Sequence, residues 1–306
     1  MNQTLTAIRG LKVGHDTDDS AKTGCTAILC EGGAVCGVDV RGAAPGTRET
    51  DLLTGYHLVE RVNAVMLCGG SAFGLAAADG AMRWLFERGI GFDSGVCPVP
   101  IVPAAVIFDL GVGDFSVRPD AQSGYAACGN ATEAEVKNGA VGAGTGATVG
   151  KLLGMGHCER GGLGSFALTL PGGILVAALV VVNAMGDVYD HHSGEILAGL
   201  NKGGAHLNTM ALLASPFAAP AAGANTTIGV IATNAKLTRE EANRLATMGH
   251  DGLALAIRPV HTPFDGDTLF GLSTGEIPIG DKTALFPIFA AAAEVTAKAV
   301  QMAVKP

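Results

Sequence analysis

The chain has 306 residues, of which 48% are hydrophobic and 16% charged, and a formal net charge of −8. This length permits a large core, and the acidic balance argues against nucleic acid or an anionic membrane as a partner. The longest clean apolar run, 174–182, is far shorter than the roughly 20 residues of a membrane span. With no signal-peptide pattern at the start and seven unpatterned cysteines, we expect a cytoplasmic protein with reduced thiols.

The first third of the chain contains short apolar runs separated by turn residues. The runs at 26–29 and 34–40 are joined by Glu-Gly-Gly, which predicts a β-hairpin. Another apolar run at 64–68 predicts a strand. Ser71 follows it as a candidate cap for a helix that runs to about Arg88, with apolar residues at helical spacing.

The later patterns alternate between strands and helices. They predict strands at 174–182, 226–234 and 269–272, a helix from a capping box at Thr238 to about Ile257, and a last helix from about Thr283. Hairpin signals without a strict strand–helix repeat favour an α+β fold in which helices cover sheets. Since the only candidate linker is 213–224, we predict a single domain over 1–306.

The candidate centre of the chemistry is Thr226, where a β-branched strand begins directly after the Pro-, Ala- and Gly-rich segment 215–224. Attack of the Thr226 hydroxyl on the carbonyl of Asn225, followed by hydrolysis, would leave Thr226 as a new N-terminus. Its α-amino group, with a pKa of about 8, would then serve as a base for its own hydroxyl. The alternative is an ordinary loop-to-strand junction.

Two carboxylates flank a glycine in the sequence Asp265-Gly266-Asp267, just before the last predicted strand. Residues two apart in an extended segment face the same side, so both acids are placed to orient an ammonium and a hydroxyl. The alternative is a solvated Asp-Gly turn.

Two further polar residues end apolar or glycine-rich stretches. Lys151 closes a glycine-dense segment, which is not a phosphate-binding loop because Thr145 and Leu152 stand where Gly and Ser or Thr are required. It is either a surface charge or a cation of the site. Asn183 ends the strand 174–182 and either caps it or donates a hydrogen bond to a developing oxyanion.

Two other kinds of site are disfavoured by spacing. Segment 187–195 contains Asp, His and Glu, but its adjacent His191 and His192 lack the spacing of a strong metal site. Ser71 is not a nucleophile elbow, since Phe73 occupies the position of the second glycine. We therefore predict neither a metal nor a cofactor.

Five ordered blocks of this sequence resemble a known family of self-cleaving enzymes. The resemblance is to the P1-type (S58) peptidases: the L-aminopeptidase/D-amidase-esterases of DmpA type, β-peptidyl aminopeptidases and nylon-oligomer hydrolases. The blocks lie at 14–26, 69–75, 99–105, 141–151 and 225–276. The resemblance implies a four-layer αββα sandwich of the DmpA and ornithine acetyltransferase type.

The resemblance also assigns site residues. It implies Thr226 as the nucleophile, Asn225–Thr226 as the cleaved bond, Asn183 as the oxyanion-hole amide, Lys151 as the lysine near the nucleophile, Asp265 and Asp267 as the acid pair, and Phe73 as a substrate contact. The acid pair and Lys151 match the nylon-oligomer branch. In the β-aminopeptidase branch the nucleophile is a serine and the pair is a serine and a glutamate, which argues against β-amino acid substrates here.

The resulting prediction is an N-terminal-nucleophile amide hydrolase, either an aminopeptidase, an amidase or an esterase. Cleavage would give an α chain of 1–225 and a β chain of 226–306, assembled as homotetramers and acting on small peptides or amides. Two alternatives stay open, an ornithine acetyltransferase-like acyltransferase and an endo-acting hydrolase of 6-aminohexanoate oligomers. A non-catalytic scaffold that is never cut is a third.

Overall fold

The computed structural model of this chain describes residues 2–214 and 225–305. The strands are β1 Lys12–Asp18, β2 Thr23–Val40, β3 Thr47–Arg48, β4 Arg61–Cys68, β5 Phe92–Asp93, β6 Pro98–Val99, β7 Ala104–Val106, β8 Thr148–Val149, β9 Glu159–Arg160, β10 Gly162–Thr169, β11 Leu175–Asn183, β12 Asp187–Tyr189, β13 Ile196–Ala198, β14 Asn201–Lys202, β15 Ala205–His206, β16 Thr226–Ala235, β17 Ile257–Arg258 and β18 Thr268–Ile277. The α-helices are α1 Ala77–Phe86, α2 Ala121–Gly129, α3 Thr209–Leu213, α4 Arg239–Ala256 and α5 Leu285–Val304. The segment 215–224, which we predicted as the loop before the nucleophile, lies outside the described residues.

One large sheet organises the fold. Its strand order is β10-β11-β16-β18-β2-β4-β7-β3, with β1 paired to β2 as a ninth strand. The pairs β16–β18 and β4–β7 are parallel, and the other pairs are antiparallel. Strand β16 therefore lies inside the sheet, between β11 and β18.

Three hydrophobic cores show how the layers stack. The central core joins Leu67 of β4 to Leu179 of β11 and Val230 of β16, so the two halves of the sheet face each other. The alternate residues of β11 and β16 pack against α4 and α5 in a second core. Those of β4 pack against α1 and α2 in a third core. The order helix, sheet, sheet, helix confirms the predicted αββα sandwich.

Strand β2 connects the two halves and corrects the predicted hairpin. Its first part pairs with β1 and β4, and its last part, 35–40, pairs with β18. The Glu-Gly-Gly segment is not a turn but a register shift in the pairing with β4, between Leu29 and Ala34. An irregularity of this kind bends a strand without ending it, which explains why turn residues occur inside an 18-residue strand.

The predicted start of the helix after Thr238 is confirmed, and the predicted start of the helix after Ser71 is corrected. Helix α4 begins with the predicted capping box, in which the Thr238 side chain accepts from the Glu241 amide and the Glu241 carboxylate from the Thr238 amide. Ser71 is not a side-chain cap. It opens a 3₁₀ segment, Ser71–Ala76, that leads into α1, and it has a positive φ of 55°.

Helix α5 is unusually apolar. With the turn before it, it is long and apolar enough to cross a membrane, at a mean hydropathy of 1.4. Half of the most apolar 18-residue stretch is buried inside the protein, and the helix packs on α4, β10 and β11. These contacts are those of a core helix that covers one face of the sheet.

Candidate active site

Thr226 lies at the start of an interior strand and is almost fully buried. In the antiparallel pairing of β11 with β16 it stands directly opposite Asn183. Opposed residues of paired strands project from the same face of a sheet, so the sheet register brings these two predicted site residues together. In the continuous chain the Thr226 hydroxyl donates to the carbonyl oxygen of Asn225.

The Asn183 side chain is held in one orientation by its neighbours. Its Oδ1 accepts from Lys151 Nζ at 2.6 Å and from the Thr148 amide at 3.1 Å. An amide oxygen that faces two donors turns its nitrogen the other way, and Nδ2 donates to the carbonyl oxygen of Phe108 at 3.1 Å. The donor end of Asn183 thus faces a residue that lines the cavity beside Thr226.

Lys151 is buried and acts on Asn183 at two atoms. Its Nζ also donates to the Asn183 backbone oxygen at 2.9 Å, so the amine bridges the main chain and side chain of one residue. Lys151 is therefore an interior residue beside the site and not the surface charge that was the alternative. Its hydrogen bonds to Asn183 hold that residue in place.

The Asp265-Gly266-Asp267 segment lies against the Asn225–Thr226 bond. Asn225 forms an isolated parallel bridge with Asp265, and the Gly266 amide donates to the Asn225 carbonyl oxygen at 3.1 Å. Both carboxylates are buried, which excludes the solvated turn considered above. The Asn225 carbonyl oxygen thus accepts from the Gly266 amide and the Thr226 hydroxyl together.

The two aspartates differ in what they contact. Asp267 Oδ1 accepts from the Thr227 amide at 2.6 Å, and Oδ2 accepts from His261 Nδ1 at 2.7 Å. Asp265 Oδ2 accepts from the Thr262 amide at 2.6 Å. In the continuous chain Asp267 therefore holds Thr227, the residue after the predicted nucleophile, which is a more indirect placement than the expected contact with Thr226.

His261 is a site residue that the sequence patterns did not single out. It lies in an irregular segment with a positive φ of 56°, and its ring packs edge-on against buried His250 at 4.8 Å between centroids. His250 in turn hydrogen-bonds the Asp39 carbonyl oxygen at 2.9 Å. No spacing rule joins these residues. Only the weak signal that His261 stands four residues before Asp265 could have suggested it.

Burial shifts two pKa values at the site toward neutrality. Desolvation lowers the pKa of Lys151 to about 7, against the opposing fields of Cys158, Asp265 and Asp109. Desolvation, together with the neighbouring charge of Asp267, raises the pKa of Asp265 to about 6. Each group is therefore close to the point at which it exchanges a proton at neutral pH.

Two cavities approach this network from different sides. A small cavity of about 130 Å³ reaches Thr226 itself and is lined by Ala44, Pro45, Gly46, Ser71, Ala72, Val106, Ile107, Phe108, Asn225 and Thr226. A larger one of about 620 Å³ is bordered by Thr148 and Cys158. The segment before β3, through Ala44, Pro45 and Gly46, forms one wall of the small cavity.

Phe73, predicted to contact substrate, lies outside both of these linings. Its ring is 60% exposed and packs under the Arg118 guanidinium, 4.2 Å from the ring centroid. Ser71 and Ala72, from the same sequence block, do line the small cavity. The block therefore contributes to the cavity wall through its first residues.

The sequence of this chain is similar to a known family and to several named proteins. A sequence model described as peptidase family S58 matches residues 3–305. An uncharacterized aminopeptidase of Mycobacterium tuberculosis is 46% identical over 326 residues, covering 97% of this chain and 92% of that protein. A 6-aminohexanoate-oligomer endohydrolase of Kocuria sp. is 33% identical over 275 residues, covering 88% and 74%.

Solved structures with the same fold are more distant in sequence. A β-aminopeptidase of Burkholderia sp. superposes with a TM-score of 0.75 at 20% identity, over 99% of this chain and 86% of that one. The L-aminopeptidase D-Ala-esterase/amidase of Ochrobactrum anthropi, described as a variant of the Ntn hydrolase fold, gives 0.74 at 19% identity, over 98% and 85%. At these identities the likeness concerns the fold alone.

Proposed function

This chain belongs to peptidase family S58 and is a peptide or amide hydrolase, and on that premise we propose that it activates itself by cleaving the Asn225–Thr226 bond. The product would be an α chain of 1–225 and a β chain of 226–306. Thr226 would then be the N-terminal nucleophile of the mature enzyme. This reaction needs a hydroxyl, a polarised carbonyl and a buried site for the developing charge.

The observation that carries the proposal is the environment of the Asn225 carbonyl. The Gly266 amide donates to its oxygen at 3.1 Å, and the Thr226 hydroxyl lies against the same carbonyl. A donor aimed at a carbonyl oxygen stabilises the oxyanion that forms when that carbonyl is attacked. The carbonyl that must be attacked is thus the one that is polarised.

In the mature enzyme, Thr226 would attack a substrate carbonyl from within the small cavity. Its α-amino group would take the hydroxyl proton and return it to the leaving amine. Asn183 Nδ2, directed by Lys151 and Thr148, would donate to the substrate oxyanion, and removal of one such donor costs about 3–4 kcal/mol of transition-state stabilisation. Asp265 and Asp267 would hold the new N-terminus.

The test is the mass of the purified protein with its rate of amide hydrolysis. Wild type should give two fragments that divide before Thr226. Thr226→Ala should stay uncut and inactive, whereas Thr226→Ser, which keeps a hydroxyl, should be cut. Thr227→Ser, which changes the next hydroxyl residue, is the matched control and should be processed normally. Full activity in a single uncut chain would rule the proposal out.

The substrate class is a second question, and two relatives favour different answers. The mycobacterial relatives are called aminopeptidases, whereas the Kocuria relative is an endohydrolase of 6-aminohexanoate oligomers. We favour small aminoacyl amides, because the cavity at Thr226 holds only about 130 Å³. A panel of aminoacyl p-nitroanilides and 6-aminohexanoate oligomers separates the two. Turnover that requires an amine acceptor instead of water would select the acyltransferase alternative.

The proposal also covers the assembly of the enzyme and its location. We infer homotetramers of cleaved αβ units, with no nucleic acid or membrane partner. All seven cysteines are free thiols in the structure. The four that lie in strands β2 and β4 are all buried: Cys25, Cys30, Cys36 and Cys68. Free thiols suit the cytoplasm. Size-exclusion chromatography with light scattering tests the tetramer.

A further inference from the structure

A cluster remote from Thr226 in sequence brings together two histidines and a glutamate. His191 and His192 lie in the turn between β12 and β13, and Glu294 projects from α5. Their ligand-type atoms all lie within 4.8 Å of one another. Among residues 2–214 and 225–305 this is the only group of three or more His, Cys, Asp or Glu side chains that converges in this way.

The two histidine–glutamate distances are close to those between ligands of one zinc ion. His191 Nε2 is 3.1 Å from one Glu294 oxygen, and His192 Nε2 is 3.6 Å from the other. Bonds of about 2.0–2.1 Å at tetrahedral angles place zinc ligands roughly 3.3 Å apart. Since all three ligand-type atoms lie within 4.8 Å of one another, side-chain rotations would bring them to one cation.

A buried partner holds the far side of His191. Gln301, itself only 1% exposed, places its side-chain nitrogen Nε2 2.6 Å from His191 Nδ1, and the same nitrogen donates to the Tyr189 carbonyl oxygen at 3.4 Å. Metal-bound histidines donate their other ring N–H to such a partner, which fixes the ring. With zinc on Nε2, Nδ1 carries the proton, and the Gln301 amide accepts it through its oxygen after a half turn.

We propose that His191, His192 and Glu294 form a binding site for one Zn²⁺ ion per chain. Two neutral imidazoles and one carboxylate are ligands that zinc prefers, and the exposed side of His192 leaves a fourth position for water. Adjacent histidines escape the usual sequence spacing rules because the third ligand comes from a distant helix.

The site has a structural consequence that rests on the proposed function. His191 and His192 precede the Asn225–Thr226 bond, whereas Glu294 follows it. In a processed enzyme the zinc would therefore join the α chain to the β chain. Zinc binding itself requires no cleavage, and the uncut Thr226→Ala protein should bind zinc as wild type does. Failure of processing and failure of the metal site are thus distinguishable.

The experiment is calorimetric titration of metal-free protein with ZnCl₂. We expect one zinc per chain in wild type and at least about a 100-fold loss of affinity in His192→Ala, because even outer-shell changes cost roughly 10- to 100-fold. His192 is 65% exposed at its side chain, so this variant should fold, which circular dichroism verifies.

The matched control is His206→Ala. His206 Nε2 lies 2.8 Å from a Glu159 oxygen, which is a His–Glu pair without a second histidine. Its loss should leave stoichiometry and affinity unchanged. A wild type that binds no zinc, an undiminished affinity in His192→Ala, or an equal loss in His206→Ala would each overturn the proposal.

Discussion

Gly266 stands at the closest approach of the acid segment to the nucleophile. A Cβ atom on this residue would lie 2.6 Å from the Ala44 oxygen and 3.1 Å from Thr226 Oγ. Neither the Ala44 backbone nor the Thr226 side chain can move away without changing the contacts at the Asn225 carbonyl. Its neighbours Asp265 and Asp267 are therefore separated by the smallest possible residue for a steric reason.

Replacement of this glycine should impair processing. In Gly266→Ala we expect self-cleavage to slow at least about tenfold, since misplacement by about 1 Å can cost 100-fold in rate. A time course on denaturing gels measures it. Gly280→Ala is the control, because a Cβ there meets nothing within 4 Å. Cleavage of Gly266→Ala at the wild-type rate would contradict the packing argument.

Asp267 gives a second prediction at this scale. Asp267→Asn keeps one oxygen but loses the charge that accepts from both the Thr227 amide and His261. We expect cleavage and turnover to fall by at least tenfold, because charge-assisted bonds are roughly twice as strong as neutral ones. Exposed Asp281, which caps the turn before α5, supplies the control Asp281→Asn. Equal rates in the two variants would remove the assigned role.

At the residue scale, the sequence patterns and the family resemblance singled out Thr226, Asn183, Asp265 and Asp267, which the structure brings close together, while their roles stay predictions. The sequence could not identify His261, whose contact with Asp267 depends on an irregular segment with a positive φ. It could not assign the direction of the Asn183 amide either. That direction depends on Lys151 and Thr148, which reach Asn183 through the tertiary fold.

Lys151, which ends the glycine-rich segment, makes the stability of the fold depend on pH. Burial lowers the pKa of Lys151 from its ordinary value of 10.5 to about 7 in the folded protein. Between these values the unfolded chain binds one more proton than the folded chain, so the folded state loses stability as the pH falls. Below about pH 7 the loss is complete.

We therefore expect wild type to gain stability relative to Lys151→Met as the pH rises from 7.5 to 9.5. The slope should approach 1.4 kcal/mol per pH unit, the value of about one proton. Urea unfolding at several pH values measures the difference. Lys22→Met, at a partly exposed surface lysine, is the control and should give a flat difference. A flat difference for Lys151→Met would show that the amine is charged when folded.

Strand β2 and helix α4 meet backbone to backbone. A Cβ on Gly37 would lie 2.2 Å from the Asn243 amide nitrogen. Gly37→Ala should therefore lower the free energy of unfolding by about 2 kcal/mol, within the usual cost of overpacking. A Cβ on Gly32, in the same strand, meets nothing within 4 Å. Gly32→Ala should therefore change the free energy of unfolding little. Denaturant unfolding of the uncut Thr226→Ala background allows a two-state comparison.

At this scale, periodicity and caps were sufficient for the regular elements. Helix α4 and strand β11 were predicted nearly to their ends because their patterns are local. The hairpin prediction within β2 was wrong, since Glu-Gly-Gly is typical of a turn and the pairing with β18 that keeps the strand extended comes from residues far away in sequence. Local turn chemistry cannot report such a partner.

For the whole molecule, the position of β16 decides what cleavage can do to the fold. The strand lies between β11 and β18, and β18 pairs with β2. The proposed α and β chains are thus interleaved in one sheet and share two of the three hydrophobic cores. Cut enzyme should therefore elute as one species from a native sizing column and separate only in denaturant. Separation under native conditions would contradict this.

The layer order was predictable from the resemblance of five sequence blocks, but the fold-back of the sheet was not predictable from local patterns. It depends on the bend in β2 and on packing between Leu67 and Val230, which are far apart in sequence. Whether the cut units form tetramers is likewise a property of surfaces that periodicity does not describe.

The parallel bridge between Asn225 and Asp265 also imposes an order in time. Asp265 and Gly266, which contact Asn225, are translated after it, and β18 must emerge from the ribosome before β16 acquires its neighbour on that side. If the proposed self-cleavage needs these residues, a nascent polypeptide that ends before them would lack the means to cut itself. Severing of the backbone would become possible only after synthesis has passed the acids, so that a truncated or stalled product would remain in one piece.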